Sequence, residues 1–256
     1  MTPAPVRAHL HRSSLMHFLA EQGMLDTAVA IGDVGPRLGD WLDFRQAINL
    51  HGVLTPEAPL EPVAQTPRTA ILSPDALTRH VDKVRSQLVQ SIWQGGPTGS
   101  GLMRIDMPPA ELDEPLEPKT AYEPYRRFYA AHQRQMESVI RTLRAQVRNQ
   151  LSKGSSALQQ LATLDAAFEN ILSEREAVLL GKVSKLLEKR FAQALKQHLK
   201  IEAESATTEA AKEQPRAWLM PLRQSLRTAL LAELDTRMQP TLGLLEAFNA
   251  ENNSKP

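Results

Sequence analysis

Apolar side chains recur every three or four residues along most of this chain, the spacing that places them on one face of an α-helix. The longest such pattern begins at Tyr122 and ends near Gly154, and another follows it directly and continues to about residue 201. Because the break between these two predicted helices is very short, we expect them to fold back on each other as an antiparallel hairpin. No segment shows the strict alternation typical of a strand, so the predicted fold class is all-α.

Short helices are predicted before residue 94. Ser13 or Ser14 can cap the first of them. Asp40 can cap the second, which extends to residue 54. Ser73, followed by proline at the first helical position, is a strong start for the third helix.

The predicted organisation has six parts. They are a small N-terminal helical unit (1–94), a flexible Pro/Gly-rich linker (95–120), the long helical hairpin (121–201), a loop (202–217), C-terminal helices (218–250) and a disordered tail (251–256). Pro240 divides the C-terminal part into two predicted helices, since proline opens a helix more readily than it continues one.

The stretch QGGPTGSG, residues 94–101, has the glycine content of a phosphate-binding loop. A P-loop requires lysine after its last glycine and a helix downstream, with a strand upstream. Leu102 stands where the lysine belongs, the preceding segment is predicted to be helical, and prolines follow. The stretch therefore favours a linker over a nucleotide site.

Few residues point to catalysis or metal binding. The chain has no cysteine, which excludes disulfides, thiolate catalysis and Cys-ligated zinc and suits a reducing compartment. The histidines His9, His11 and His17 lack the spacing of metal ligands, and no GxSxG motif raises the expectation of a Ser/His/Asp site. His132 falls on an apolar stripe and is expected in the core. We predict no enzyme, no catalytic residues, no metal and no cofactor.

Basic residues are distributed more informatively, although the net charge is only +1. Two rows lie along one side of the two predicted hairpin helices, at intervals of three, four or seven residues. The first row comprises Arg127, Arg134, Arg141, Arg144 and Arg148, and the second comprises Lys182, Lys185, Lys189, Lys196 and Lys200. Both rows can be solvated faces opposite apolar stripes, or a docking face for an acidic protein or a nucleic acid.

The second hairpin helix also carries an apolar stripe that predicts a helix-packing seam. Its members are Leu161, Leu164, Phe168, Leu172, Leu179, Val183, Leu187 and Phe191. The apolar surplus along this stripe, from Leu161 to Leu195, can require a complex with another protein or a homodimer to cover it.

Long segments resemble a proteobacterial family catalogued only as a domain of unknown function. The matching stretches are RLGDWLDFRQAINLHGVL, YEPYRRFYAAHQRQMESVIRTLRAQVR, LATLDAAFENILSEREAVLLGKVSKLLEKRF and LLAELDTRMQPTLGLLEAF, which spread from Arg37 to Phe248. The family is usually encoded beside genes for a motor of the flagellar-stator type. In that setting it is assigned to the type III Zorya anti-phage defence system as one of two accessory proteins.

The resemblance implies a cytoplasmic accessory or adaptor subunit without catalytic activity. Its partners would be the subunits of the ion-driven inner-membrane motor, the second accessory protein, or both. No stretch approaches the roughly 20 apolar residues of a membrane helix, so direct membrane insertion is not expected. The alternatives are a nucleic-acid-binding effector that uses the basic face of residues 122–153, and a hydrolase whose residues the pattern does not reveal.

Overall fold

The computed structural model describes residues 14–23, 39–54, 72–95, 101–109, 118–205 and 218–253. Its helices are α1 (Ser14–Glu21), α2 (Phe44–Leu54), α3 (Pro74–Gln94), α4 (Pro118–Leu151), α5 (Ser156–Ser205) and α6 (Leu219–Asn253). These described residues contain no strand, which confirms the predicted all-α class.

Three helix boundaries carry the contacts or the backbone conformation expected of a helix end. The Ser73 hydroxyl accepts a hydrogen bond from the Ala76 backbone N–H at 3.3 Å, and Pro74 is the first residue of α3. The Ser155 hydroxyl accepts one from the Leu158 N–H at 3.3 Å at the start of α5. Helix α3 ends before Gly95, whose φ of 81° lies in the left-handed region that favours glycine.

The predicted cap of α2 is wrong by three residues. Helix α2 begins at Phe44, and its cap is Asp43 instead of Asp40. The Asp43 carboxylate accepts the Gln46 N–H at 2.7 Å, while the Gln46 side chain accepts the Asp43 N–H at 3.0 Å. This reciprocal pair is a capping box, which satisfies two backbone donors where a lone aspartate satisfies one.

The predicted break at Pro240 is also absent. Helix α6 continues through Pro240 to Asn253, three residues past the predicted boundary at 250. Met238 and Thr241, on either side of the proline, are both fully buried. The packing of these neighbours offsets the hydrogen bond that proline removes. Glu251, placed in the predicted tail, accepts a hydrogen bond from the Ser155 hydroxyl.

The chain forms two compact units, and α3, α4, α5 and α6 each contribute a segment to both. Unit 1 comprises Met1–Leu25, Ser86–Glu137 and Leu179–Arg237, and unit 2 comprises Asp26–Arg85, Ser138–Val178 and Met238–Pro256. The predicted division into an N-terminal unit, a linker and a hairpin stays a prediction.

Unit 1 has an aromatic core. Phe191 of α5 is fully buried, and its ring centroid lies 5.2 Å from Tyr122, 6.1 Å from Tyr125 and 5.7 Å from Trp218. Further along α4, the Gln133 amide donates to the Leu180 carbonyl at 3.4 Å. Within unit 1 the later residue of α4 thus contacts the earlier residue of α5, so the two segments run antiparallel.

Residues 101–109 of the predicted linker pack in unit 1, and residues 118–120 belong to α4. Ile105 is buried, and its N–H donates to the Gly95 carbonyl at 3.3 Å. The Tyr125 hydroxyl donates to the Pro109 carbonyl at 3.0 Å. These contacts attach the segment to α3 and α4. The flexibility of residues 95–120 as a whole stays a prediction, and residues 96–100 and 110–117 lie outside the described residues.

Unit 2 combines an aliphatic core with polar contacts between helices. Its buried apolar side chains include Leu77, Val81, Ile140, Leu143, Val147, Leu151, Leu158, Ile171, Leu244 and Phe248. Asn249 donates to the Thr78 hydroxyl at 3.1 Å, joining α6 to α3. His80 and Gln146 form a hydrogen bond of 3.0 Å that joins α3 to α4.

None of the helices in the described ranges combines the length and the apolar character needed to cross a membrane.

Candidate docking surface

The part of α5 that belongs to unit 1 has two opposite faces. Val183, Leu187, Phe191 and Leu195 follow one another at four-residue steps and are all buried. Packing on this stripe fixes the rotation of the helix. The polar residues between them are consequently turned to the surface.

The exposed face carries the predicted lysine row. Lys182, Lys185, Lys189, Lys196 and Lys200 are all exposed, and Gln193, also exposed, occupies the one position where the pattern lacks a lysine. Successive intervals of three, four, four, three and four residues keep the six side chains within a wedge of about 80°, and the five lysines within about 60°, on a helix with 100° per residue. The row extends over roughly 27 Å, at 1.5 Å per residue. We call these five lysines the lysine row.

The segment that carries the lysine row has a strong excess of positive charge. Between Lys182 and Lys200 the sequence has six Lys or Arg residues and one acidic residue, Glu188, a balance of 6 − 1 = +5. Lys200 lies 3.8 Å from Glu204, and both side chains are exposed. Among the residues that the structure describes, the other four lysines form no hydrogen bond or ion pair. Their charges are therefore left to solvent or to a ligand.

The other charged groups of this segment point toward unit 1 itself. Arg190 is half-buried and donates to the Gln22 side chain. Glu188 is half-buried too. Burial, with a smaller contribution from the Glu188 carboxylate, raises the pKa of Tyr122 well above its ordinary range. These two residues belong to the folded unit, which separates them from the exposed row.

Exposed apolar side chains border the lysine row at both ends. Leu179, before Lys182, has a relative exposure of 51%. At the other end Leu199 is 39% exposed and Ile201 is 53% exposed. Along the helix axis, exposed apolar side chains thus lie at both ends of the basic row, with Leu199 and Ile201 on different sides of the helix.

The arginine row of α4 has a different environment. In unit 1, Arg127 pairs with Glu123 at 2.8 Å, and Arg134 is exposed. Arg126 also donates a hydrogen bond to Glu123, at 2.7 Å. The hydrogen bonds from Arg127 and Arg126 lower the pKa of the Glu123 carboxyl.

In unit 2, two members of the arginine row are used internally, while Arg141 is exposed. Arg144 pairs with Asp165 at 2.6 Å, and Arg148 contacts both Asp165 at 3.0 Å and Glu169 at 2.5 Å. The side chains of the two arginines are only 13% and 17% exposed. Residues spaced seven apart shift by about 20° around the helix at each step. The arginine row therefore begins on the surface and turns gradually toward α5.

The predicted packing seam of α5 is covered to different degrees. Val183, Leu187 and Phe191 are buried in unit 1. Leu161, Leu164, Phe168 and Leu172 are half-buried in unit 2. Leu179 is the exception, since about half of its surface is exposed. The homodimer that this stripe allows stays a prediction.

His132 lies in the core of unit 1, where the sequence predicts it. It is 1% exposed, and its ring packs edge-on against Phe128 with 4.6 Å between centroids. Burial lowers the pKa of His132 to about 4. The imidazole is therefore neutral at physiological pH.

The sequence pattern does not predict one buried polar cluster of unit 1. Glu233 is 0% exposed and accepts hydrogen bonds from the Tyr129 hydroxyl at 2.9 Å, the Gln133 amide at 2.9 Å and Arg237 at 2.9 Å. A signal exists: Glu233 follows Leu226 and Leu230 at seven and three residues, so it occupies the apolar stripe of α6. Both carboxylate oxygens have donors, an arrangement suited to holding α4 and α6 together.

Metal ligands do not cluster in the part of the chain that the structure describes: no group of three or more His, Asp or Glu side chains could hold an ion there. His17 is exposed and near Glu21, at 3.5 Å. His9 and His11 lie outside the described residues.

Comparison with known families gives one match, and it covers nearly the whole chain. The family described as "Protein of unknown function (DUF3348)" matches residues 1–250. The chain belongs to this family. No curated protein and no solved structure matches it. Membership of the DUF3348 family names no substrate, partner or catalytic residue.

Proposed function

We propose that this protein is a non-enzymatic adaptor that docks an acidic protein partner on the lysine row of α5. The observation that carries the proposal is the row itself: five exposed lysines in register over roughly 27 Å, bordered by apolar side chains at both ends. An amphipathic helix with carboxylates at intervals of three, four and seven residues would match this spacing.

The apolar ends favour a protein over a nucleic acid. A phosphate backbone contacts basic side chains but gives Leu179, Leu199 and Ile201 nothing apolar to pack against. Protein interfaces, in contrast, combine an apolar part with a polar rim.

The arginine face of α4 gives the nucleic-acid alternative less support. Arg127, Arg144 and Arg148 already have carboxylate partners within the chain. Releasing the half-buried pairs of Arg144 and Arg148 for a phosphate would leave Asp165 without its partners, which costs free energy.

The resemblance to accessory proteins of type III Zorya systems suggests the identity of the partner. We propose that the chain works in the cytoplasm and docks on the cytoplasmic part of an ion-driven inner-membrane motor or on the second accessory protein of an anti-phage system. The absence of cysteine from the sequence suits that compartment.

The test is co-purification of the tagged protein with the motor subunits and the second accessory protein, from cells that carry the whole operon. The variant Lys185→Glu/Lys189→Glu reverses the centre of the lysine row and should lose most of the captured partner. The control Arg79→Glu/Lys83→Glu makes the same charge change at two exposed positions of α3, four residues apart, and should retain it.

Kinetics with the captured partner refine this test. Charge steers association, so the lysine variant should lower the association rate and remove its salt dependence. Apolar contacts govern dissociation, so Leu199→Ser/Ile201→Ser should mainly raise the dissociation rate. Equal capture by the lysine variant and the wild type contradicts the proposal.

Two other results would favour a different function over the proposed adaptor. DNA binding at physiological salt that weakens with a slope of roughly −0.9 per phosphate contact, and that charge reversal abolishes, would favour the nucleic-acid effector. Hydrolysis of a nucleotide or of DNA by the purified protein would favour an enzyme.

A further inference from the structure

An open groove of about 560 Å³ lies in unit 1, where the last turn of α3 meets the first turns of α6. It is lined by Trp93, Met220, Pro221, Arg223, Gln224 and Arg227. None of these residues belongs to the lysine row, so the groove requires its own explanation.

Two large apolar side chains in the groove are unusually exposed. Trp93 is 47% exposed and Met220 is 59% exposed. Tryptophan, methionine and arginine are enriched in protein interfaces, and tryptophan and arginine dominate binding energy there. The lining therefore has the composition of a binding site for an apolar side chain.

The charge of the groove is positive. Arg223 and Arg227 lie one turn apart on α6, and no lining residue is acidic. Met220 and Pro221 lie in the first turn of α6, which begins at Leu219, so this end of the groove is near the positive end of the helix dipole. The groove is thus suited to an anion beside the apolar surface.

Arg227 is held in position but keeps donor capacity. Its guanidinium lies over the Trp93 ring at 5.4 Å from the centroid, and its Nη2 donates to the Trp93 carbonyl at 3.4 Å. Its Nε is buried and has no hydrogen-bond partner among the described residues. A guanidinium carries five N–H donors, so the single hydrogen bond to the Trp93 carbonyl leaves other N–H groups of Arg227 for an incoming carboxylate.

We propose that this groove binds a short segment of a partner protein in which an apolar side chain adjoins a carboxylate. The apolar side chain packs on Trp93 and Met220, and the carboxylate accepts hydrogen bonds from Arg223 and Arg227. Sites for free small molecules enclose most of the ligand surface, whereas this groove is open. Its openness favours a segment that belongs to a larger molecule.

The probe is an N-acetylated, C-amidated peptide of sequence Asp-Leu-Phe-Glu, titrated to about 5 mM into the full-length protein. The readout is the indole N–H resonance of Trp93 in the ¹⁵N-labelled protein, with Trp41 and Trp218 as internal references. We expect saturable shifts of the Trp93 resonance with a Kd of about 1 mM or below, the range of a small interface. The amide peptide Asn-Leu-Phe-Gln and the polar peptide Asp-Ser-Ser-Glu should each bind at least tenfold more weakly.

Variants separate the groove from general charge effects. Arg223→Glu should weaken binding of the acidic peptide at least tenfold, while Arg134→Glu, an exposed arginine of unit 1 outside the groove, should leave it unchanged. Lys185→Glu/Lys189→Glu should also leave it unchanged, because the lysine row is a separate surface. Unaltered Trp218 resonances report that each variant is folded.

Three outcomes overturn the inference: no shift of Trp93 with the acidic peptide at 5 mM, equal binding of the amide peptide, or a Trp93 shift produced by a nucleotide but not by the peptide.

Discussion

His132 allows a sharp test of the core of unit 1, because its protonation couples to folding. The imidazole is 1% exposed, and its Nε2 is buried without a hydrogen-bond partner among the described residues. Burial lowers its pKa from 6.5 to about 4. The unfolded chain therefore binds the proton first as the pH falls.

The sign and the magnitude of the pH dependence of the unfolding free energy follow from the difference between the two pKa values of His132. The contribution of neutral, buried His132 to stability is fully present above pH 6.5 and is lost as the pH falls through the folded-state pKa of about 4. Each tenfold difference in proton affinity corresponds to about 1.4 kcal/mol, so His132 costs roughly 2 kcal/mol of unfolding free energy between pH 7.5 and 5, and roughly 3 kcal/mol below pH 4.

The assay is urea unfolding of the wild type and of His132→Leu at pH 7.5 and at pH 5. Leucine fills a similar volume and does not titrate, so the variant should lose about 2 kcal/mol less than the wild type between the two pH values. His80→Gln is the control, since His80 is exposed, and it should follow the wild type. The same pH dependence in His132→Leu and the wild type, or an NMR-measured pKa of His132 near 6.5, would refute the reasoning.

Two further predictions concern the carboxylates that join helices. Glu233→Ala should lower the unfolding free energy, measured by urea unfolding, by about 3–5 kcal/mol, because the buried groups bonded to Glu233 lose their acceptor. Glu246→Ala, on the exposed face of α6, is the control and should change the unfolding free energy little. Asp165→Asn should lower the unfolding free energy by about 2 kcal/mol in thermal unfolding, because it weakens the charge-assisted hydrogen bonds to Asp165. Asp82→Asn, at an exposed position, is the control. A loss below about 0.5 kcal/mol would show that the pair of Arg148 with Asp165 does not stabilise the fold.

Local sequence signals predict helix boundaries where one residue has one physical role. Ser73 and Ser155 cap their helices because a hydroxyl at that position satisfies a free backbone N–H. Periodicity also places His132 in the core, since its position in the α4 stripe determines which side it faces.

Tertiary contacts decide the features that the sequence does not predict. Asp40 and Asp43 are equivalent as caps until the reciprocal contact of Gln46 is included. Pro240 ends a helix in isolation, but burial of the adjacent residues keeps α6 continuous. The groove beside Trp93 brings α3 and α6 together from residues more than a hundred positions apart, which no local pattern encodes.

The two basic rows illustrate why spacing alone does not identify a docking surface. Both have intervals of three, four and seven residues, yet the arginines at the end of α4 pair with Asp165 and Glu169, while the lysines of α5 stay at the surface. The residue types fit this difference. Guanidinium is planar and weakly hydrated, which suits bidentate pairing inside a fold, whereas ammonium is compact and strongly hydrated.

This difference bears on the proposed adaptor. A lysine row loses little free energy when no partner is bound, because water solvates each ammonium group. The exposed pairs it can form contribute about 0.2–1 kcal/mol each, so specific binding also requires the apolar ends at Leu179 and Ile201. In the proposed complex, charge should set the register and the association rate, and apolar contact should set the lifetime. A partner that binds through this face should therefore need both the carboxylates and the apolar side chains of its own helix.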